Sequence, residues 1–170
     1  MSKLELIEAM YNYNEWANGC ILDAVDGLDA PGLADAKTAS HESIQELLVH
    51  TLGAQVFWLT RWRKGDPWPT KPLVAGGRMM ASLREGFAAT DAGIREFIGS
   101  LSEDGLDRPT AMPEWIERMK GVELPLWQVM MQIIGHGIHH RAEAQSSLTA
   151  AGHPVQDLDY ILWEIDRKRT

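Results

Sequence analysis

The stretch PLWQVMMQIIGHGIHHRAEAQSSLTA, residues 125 to 150, decides how the rest of this chain is read. One face of it runs through Leu126, Val129/Met130, Ile133, His136/Gly137, His140, Ala144 and Ser147/Leu148, the three-then-four spacing of an α-helix with an apolar stripe. Proline suits the first helical position, where its missing N–H costs nothing, and Gly152 and Pro154 supply the stop. The spacing therefore predicts a helix opened by Pro125 and running to about Ala151. His136 and His140 are four residues apart on it and project from one face, about one turn from each other. That face is the inward, apolar one, while His139 points elsewhere.

Three more helical segments lie upstream. Residues from Lys3 to Leu28 place Leu6, Met10, Tyr13, Ala17, Ile21, Ala24 and Leu28 at helical spacing. Ser43, with Glu46 three residues on, is a capping-box signature ahead of Leu47, Leu48, Thr51, Ala54, Trp58 and Trp62, so a second helix is expected to about Lys64. Gly65-Asp66-Pro67-Trp68-Pro69 then ends it, because glycine accepts the left-handed cap and proline cannot extend the ladder. A third helix is predicted from about Arg78 to Leu101. Between Ser102 and Leu124, Pro109, Pro113 and Gly121 break the periodicity, and a small hairpin is expected there. A short helix near Asp157 to Ile165 closes the chain. Four long amphipathic segments predict an all-α fold, a four-helix bundle with a short extra C-terminal helix, as one domain over residues 1–170.

Composition narrows the function. A chain of 170 residues buries roughly 70% of its unfolded surface and needs no disulfide staple. The single Cys20 and the absence of a basic, long-apolar leader point to a cytoplasmic protein. No apolar run reaches the roughly 20 residues that span a bilayer. The net charge of −8 argues against nucleic acid as a partner, because such binding relies on Lys and Arg neutralising phosphates. Arg61, Arg63 and Lys64 read as cations favourably placed at a helix C-terminus. A small-molecule substrate is the expected partner.

His50 lies beside the apolar stripe of the second helix, among Leu47, Ala54 and Phe57, where a neighbouring helix can bring it to His136 and His140. Three imidazoles bind Zn²⁺, Ni²⁺, Fe²⁺ or Cu²⁺ and leave coordination positions open. An ion so held activates water or stabilises a thiolate as nucleophile. Spacing alone favours core or surface histidines as the reading of these residues. The sequence contains no His-Glu-x-x-His, no Glu-x-x-His, no Gly-x-Ser-x-Gly and no phosphate loop.

Tyr13-Asn14-Glu15-Trp16-Ala17-Asn18, the run from Ser43-Ile44 through His50 to Trp58-Leu59, and His136-Gly137-Ile138-His139-His140-Arg141-Ala142-Glu143 resemble the DinB/YfiT-like metalloenzyme family over nearly the whole chain. The resemblance implies an up-down-down-up bundle, a divalent ion (Zn, Ni or Fe) on His50, His136 and His140, and a homodimer. Relatives with similar bundles include thiol S-transferases that use bacillithiol and a maleylpyruvate isomerase that uses mycothiol. A low-molecular-weight thiol as co-substrate follows as an expectation, and so does a thiol-transferase-like or hydrolytic reaction. A non-catalytic, metal-binding dimer acting as a stress-response or ligand-binding module is the alternative.

The catalytic residue is not identified by the sequence, and three side chains are candidates for supporting roles. Glu46 either orients a ligand or closes the capping box with Ser43. Gln132, one turn before His136, and Glu143, three residues after His140, are either partners of the site or ordinary solvated positions. Trp16, Trp58 and Trp62 read as core packing, and Cys20 as a small core residue without an activating base. His139 and Arg141 are expected on other faces of the last long helix. His41 and His153 fall near helix boundaries and call for no special account.

Overall fold

The computed structural model describes residues 1–28, 32, 36–64 and 80–169. It is mostly helical, with α1 at Lys3–Val25, α2 at Ile44–Lys64, α3 at Met80–Gly99, α4 at Leu126–Ala150 and α5 at Tyr160–Arg169. Two short strands, β1 at Pro109–Ala111 and β2 at Glu123–Pro125, form the hairpin expected between the third and fourth helices, with Thr110 opposite Leu124. The expected stop at residues 65–69 and the start of the third helix at Arg78 and Met79 lie outside the described residues.

The helix ends follow local chemistry. Ser2 and Glu5 form a reciprocal capping box at the start of α1, and the Ser43 hydroxyl accepts from the Glu46 amide at 3.2 Å at the start of α2. α1 stops at Val25 rather than Leu28, because Gly27 and Leu28 turn back onto Ala24 and Val25 in tight i→i−3 contacts. Pro125 is the residue before α4, not its first: its backbone is still extended and paired with Pro109. At the other end Gly152, at φ +85°, lets its own amide reach Thr149 O and the His153 amide reach Leu148 O, the paired contacts that close a helix on a left-handed residue. α5 begins three residues later than expected and runs to Arg169, with Trp163 as its buried anchor.

α1 packs on α3 and α4, and α2 packs on the same two helices, so α1 and α2 lie across the core from each other. One apolar cluster gathers Ile7, Tyr11, Trp58, Trp62, Phe97, Met130 and Ile133. A second gathers Ile21, Leu47, Leu83, Phe87, Ala144 and Leu148. Trp58 and Trp62 are core residues, as expected, and Trp16 packs at the edge against Trp163. Among the described residues no helix is long and apolar enough to cross a membrane.

Between the two clusters, at mid-height of every long helix, the buried positions turn polar: Asn14 and Asn18 on α1, Gln55 on α2, Thr90 and Asp91 on α3, Arg141 on α4. Arg141 donates to Asn14 Oδ1 at 2.6 Å and Asn18 Oδ1 at 2.8 Å, and both amides donate to Gln55 Oε1. This layer corrects two sequence expectations. Leu6 is exposed because Ile7, Tyr11, Asn14 and Asn18 form the inner face of α1, and Arg141 is buried because its guanidinium has these partners. A hydrogen-bonded polar layer inside an apolar core penalises any sliding of one helix along another.

Candidate metal centre

His50 comes from the second turn of α2, and His136 and His140 come from the facing side of α4. The packing of α2 on α4 brings the three together: His50 Nε2 lies 3.1 Å from His136 Nε2, which lies 3.2 Å from His140 Nε2. Two imidazoles on one tetrahedral ion, with each nitrogen about 2.0–2.1 Å away, have their nitrogens roughly 3.3 Å apart. The three side chains thus stand at the separation of ligands to a common cation, and their candidate ligand atoms all lie within 4.8 Å of one another. Exposure is graded from His50 at the surface through His136 to the buried His140, so the site opens outward along α2.

The electrostatics agree with a site for a cation. Burial, ahead of the neighbouring His140 and His50, pushes His136 down to about 4. His50 and His140 are lowered as well, burial again leading, with Glu143 opposing the shift in both. All three imidazoles are therefore neutral near pH 7, the form with a lone pair for a metal.

Glu143 lies behind His140, with Oε2 3.4 Å from Nδ1. Burial works to raise its pKa, but hydrogen bonds from the Ser40 hydroxyl and amide and from His140 outweigh that and hold it at about 2. Being ionised, it accepts only, so the contact is donated by His140 Nδ1–H, which leaves Nε2 free to face the other two histidines. Ligand-bearing histidines are commonly oriented by a carboxylate in this way. The donor set, its spacing and its protonation fit a divalent transition metal.

A model of the DinB family matches residues 1–168. The chain belongs to the DinB family. A search of curated proteins finds no match for it. Within this DinB chain the His136-Gly137-Ile138-His139-His140-Arg141 run acquires a packing reason beyond its histidines. A Cβ on Gly137 would stand 2.6 Å from Arg141 Nη1 and 2.7 Å from Asn14 Oδ1, so the glycine is what lets α1 and its polar layer close against α4 directly behind the histidines.

The other candidates separate clearly. Glu46 supplies the capped amide at the start of α2 and borders the cleft outside the site. Gln132 is exposed one turn before His136. His139 is exposed, its ring 5.0 Å from that of His140. Arg61, read as a cation at a helix end, is buried and donates from Nε and Nη2 to Ala111 O, fastening the hairpin to α2. Cys20 is only partly buried, accepts from Gln156 Nε2 at 3.0 Å, and its thiol is pushed up by burial, the opposite of an activated nucleophile. His41, passed over in the sequence, places its ring 4.7 Å from that of His50. A helix-boundary position gives no periodic signal, so only the fold of the 36–43 loop reveals it.

Proposed function

We propose that this DinB-family chain is a single-domain, cytoplasmic, homodimeric metalloenzyme. In it His50, His136 and His140 hold one divalent ion, Zn, Ni or Fe, for attack of water or a low-molecular-weight thiol on a small electrophile. The observation that carries the reading is the convergence of three neutral imidazole Nε2 atoms from two facing helices at 3.1 and 3.2 Å. An up-down-down-up course of the four long helices accompanies it. Support for that course comes from the ion pairs that join α1 and its C-cap Asp26 to α3 and the turn after it: Lys3 to Asp107 beyond the end of α3, Glu15 to Arg95, and Asp23 and Asp26 to Arg84, in opposite order along the two segments.

When bound, such an ion supplies Lewis acidity that makes water or a thiol nucleophilic at neutral pH. The chain's own residues do the rest. Glu143 keeps the His140 proton on Nδ1, and Gly137 with the Arg141 layer fixes the rotation of α4 that aims both of its histidines at α2. A cleft of about 900 Å³ lined by residues 37–42 and Glu46 includes His41, whose ring neighbours that of His50, and is large enough for a small molecule.

The test is turnover by zinc-, nickel- or iron-reconstituted protein of an electrophile panel, with and without small thiols. Conjugation that requires a thiol and is lost in His136→Ala supports the transferase reading, and turnover with water alone supports a hydrolase. A stable metal complex that turns over neither would establish the non-catalytic metal-binding module instead.

A further inference from the structure

A second group of donors stands beside the trio. The ligand atoms of His41, His140 and Glu143 also lie within 4.8 Å of one another. Donors sharing one ion stand roughly 3.3 Å apart, and Glu143 Oε2 lies 3.4 Å from His140 Nδ1. Two imidazoles with one carboxylate are an established donor set for divalent first-row ions.

His140 belongs to both groups and has two nitrogens to give. Its Nε2 faces His136 at 3.2 Å, whereas its Nδ1 faces Glu143. Ions held by the two groups would sit on opposite nitrogens of one ring, roughly 6 Å apart, counting two metal–nitrogen bonds of about 2 Å and the width of the imidazole. The second group is tied in place by the loop before α2. The Ser40 hydroxyl donates to Glu143 Oε2 at 2.7 Å and lies 2.7 Å from His41 Nδ1, while the Ser40 amide donates to the other carboxylate oxygen at 2.5 Å. The Thr38 hydroxyl accepts from the His41 amide at 3.0 Å and donates to the His41 carbonyl at 2.9 Å. His41 and Glu143 are thereby held together with the Ser40 oxygen beside both. His41 also lines the cleft of about 900 Å³, whose wall carries Glu42 and Glu46, two further carboxylates that favour the approach of a cation.

We propose that His41, Glu143 and His140 form a second divalent-ion position, and that His140 bridges it to the three-histidine position. This rests on the three-histidine reading above. With the first position alone filled, His140 Nδ1–H donates to Glu143; a second ion takes that nitrogen, and the proton passes to solvent. The second position is the weaker one, because His41 sits on a loop and a proton must leave. It fills when metal is supplied in excess.

Copper(II) titration of the intact metal-free chain, read by equilibrium dialysis and electron paramagnetic resonance, tests this. The wild type is expected to bind about two ions per chain. The resonance that grows with the first equivalent is expected to fall as the second is added, because two copper spins joined through one imidazole couple and cancel. His41→Ala is expected to bind one ion and keep its full resonance in excess copper, with an unchanged circular dichroism spectrum. One ion in the wild type at saturation, lost in His50→Ala and kept in His41→Ala, overturns the second position and leaves the three-histidine reading standing. Two ions with additive resonances overturn the bridge, and a coupled pair that survives His41→Ala overturns the assignment of its ligands. A wild type that binds no copper, or a single ion lost in His41→Ala and kept in His50→Ala, overturns both this proposal and the three-histidine reading.

Discussion

Two glycines on α4, two residues apart, should respond in opposite directions to the same substitution. Gly135 is exposed and a Cβ there meets nothing within 4 Å, so Gly135→Ala gains only helix propensity and stabilises by about 0.5–1 kcal/mol. At Gly137 the added methyl would lie 2.6 Å from Arg141 Nη1 and 2.7 Å from Asn14 Oδ1, and neither atom can retreat without breaking the 2.6 Å bond between them. Losing a hydrogen bond to a charged group costs about 1.5–3 kcal/mol, overpacking a core adds about 1–3, and the propensity gain returns about 1. Net destabilisation of about 1.5–5 kcal/mol is expected for Gly137→Ala, against a small gain at Gly135. Urea denaturation of the metal-free variants, followed by circular dichroism, gives both values. Shifts of the same sign and similar size would show that α1 and α4 do not approach this closely behind the histidines.

Two other sites give independent tests. Asp91 is buried on α3, and burial first, then Glu15, pushes it from 3.8 up to about 7 against the pull of Arg95 and Arg141. Its folded value lies above its unfolded one, so its contribution is fully present below about pH 4 and is lost as pH rises to about 7, a span worth roughly 4 kcal/mol at most. Thermal melts should therefore find Asp91→Asn more stable than wild type by about 2–4 kcal/mol at pH 8 and equal to it near pH 4; equal stability at pH 8 would mean that Asp91 ionises normally. At Glu143, substitution by Gln keeps the size but offers Ser40 and His140 a weaker, neutral acceptor. Chelator competition should show zinc affinity lowered roughly tenfold to hundredfold, and unchanged affinity would remove Glu143 from the site.

How much of this was readable beforehand depends on periodicity. α2 and α4 bury one continuous stripe each, so their extents and the convergence of His50, His136 and His140 follow from spacing once the helices pair. α1 was harder, because Asn14 and Asn18 face inward among apolar neighbours and look like solvent positions until Arg141 and Gln55 are seen opposite them. Arg141 differs for the same reason: a lone guanidinium reads as exposed, and its burial depends on Asn14 and Asn18 of α1, themselves held by Gln55 of α2. Ser40 and His41 belong to a loop whose shape is set by side-chain hydrogen bonds across 103 residues of sequence, from Ser40 to Glu143, which no local pattern encodes.

Metal content is the direct test of the central claim. Protein purified without a histidine tag or added metal should carry about one divalent transition-metal ion per chain. His139→Ala should retain that ion, and His50→Ala should lose it, with all three proteins equally helical. Absence of metal from the wild type even after reconstitution, or its loss in His139→Ala with retention in His50→Ala, would contradict the assignment of the site.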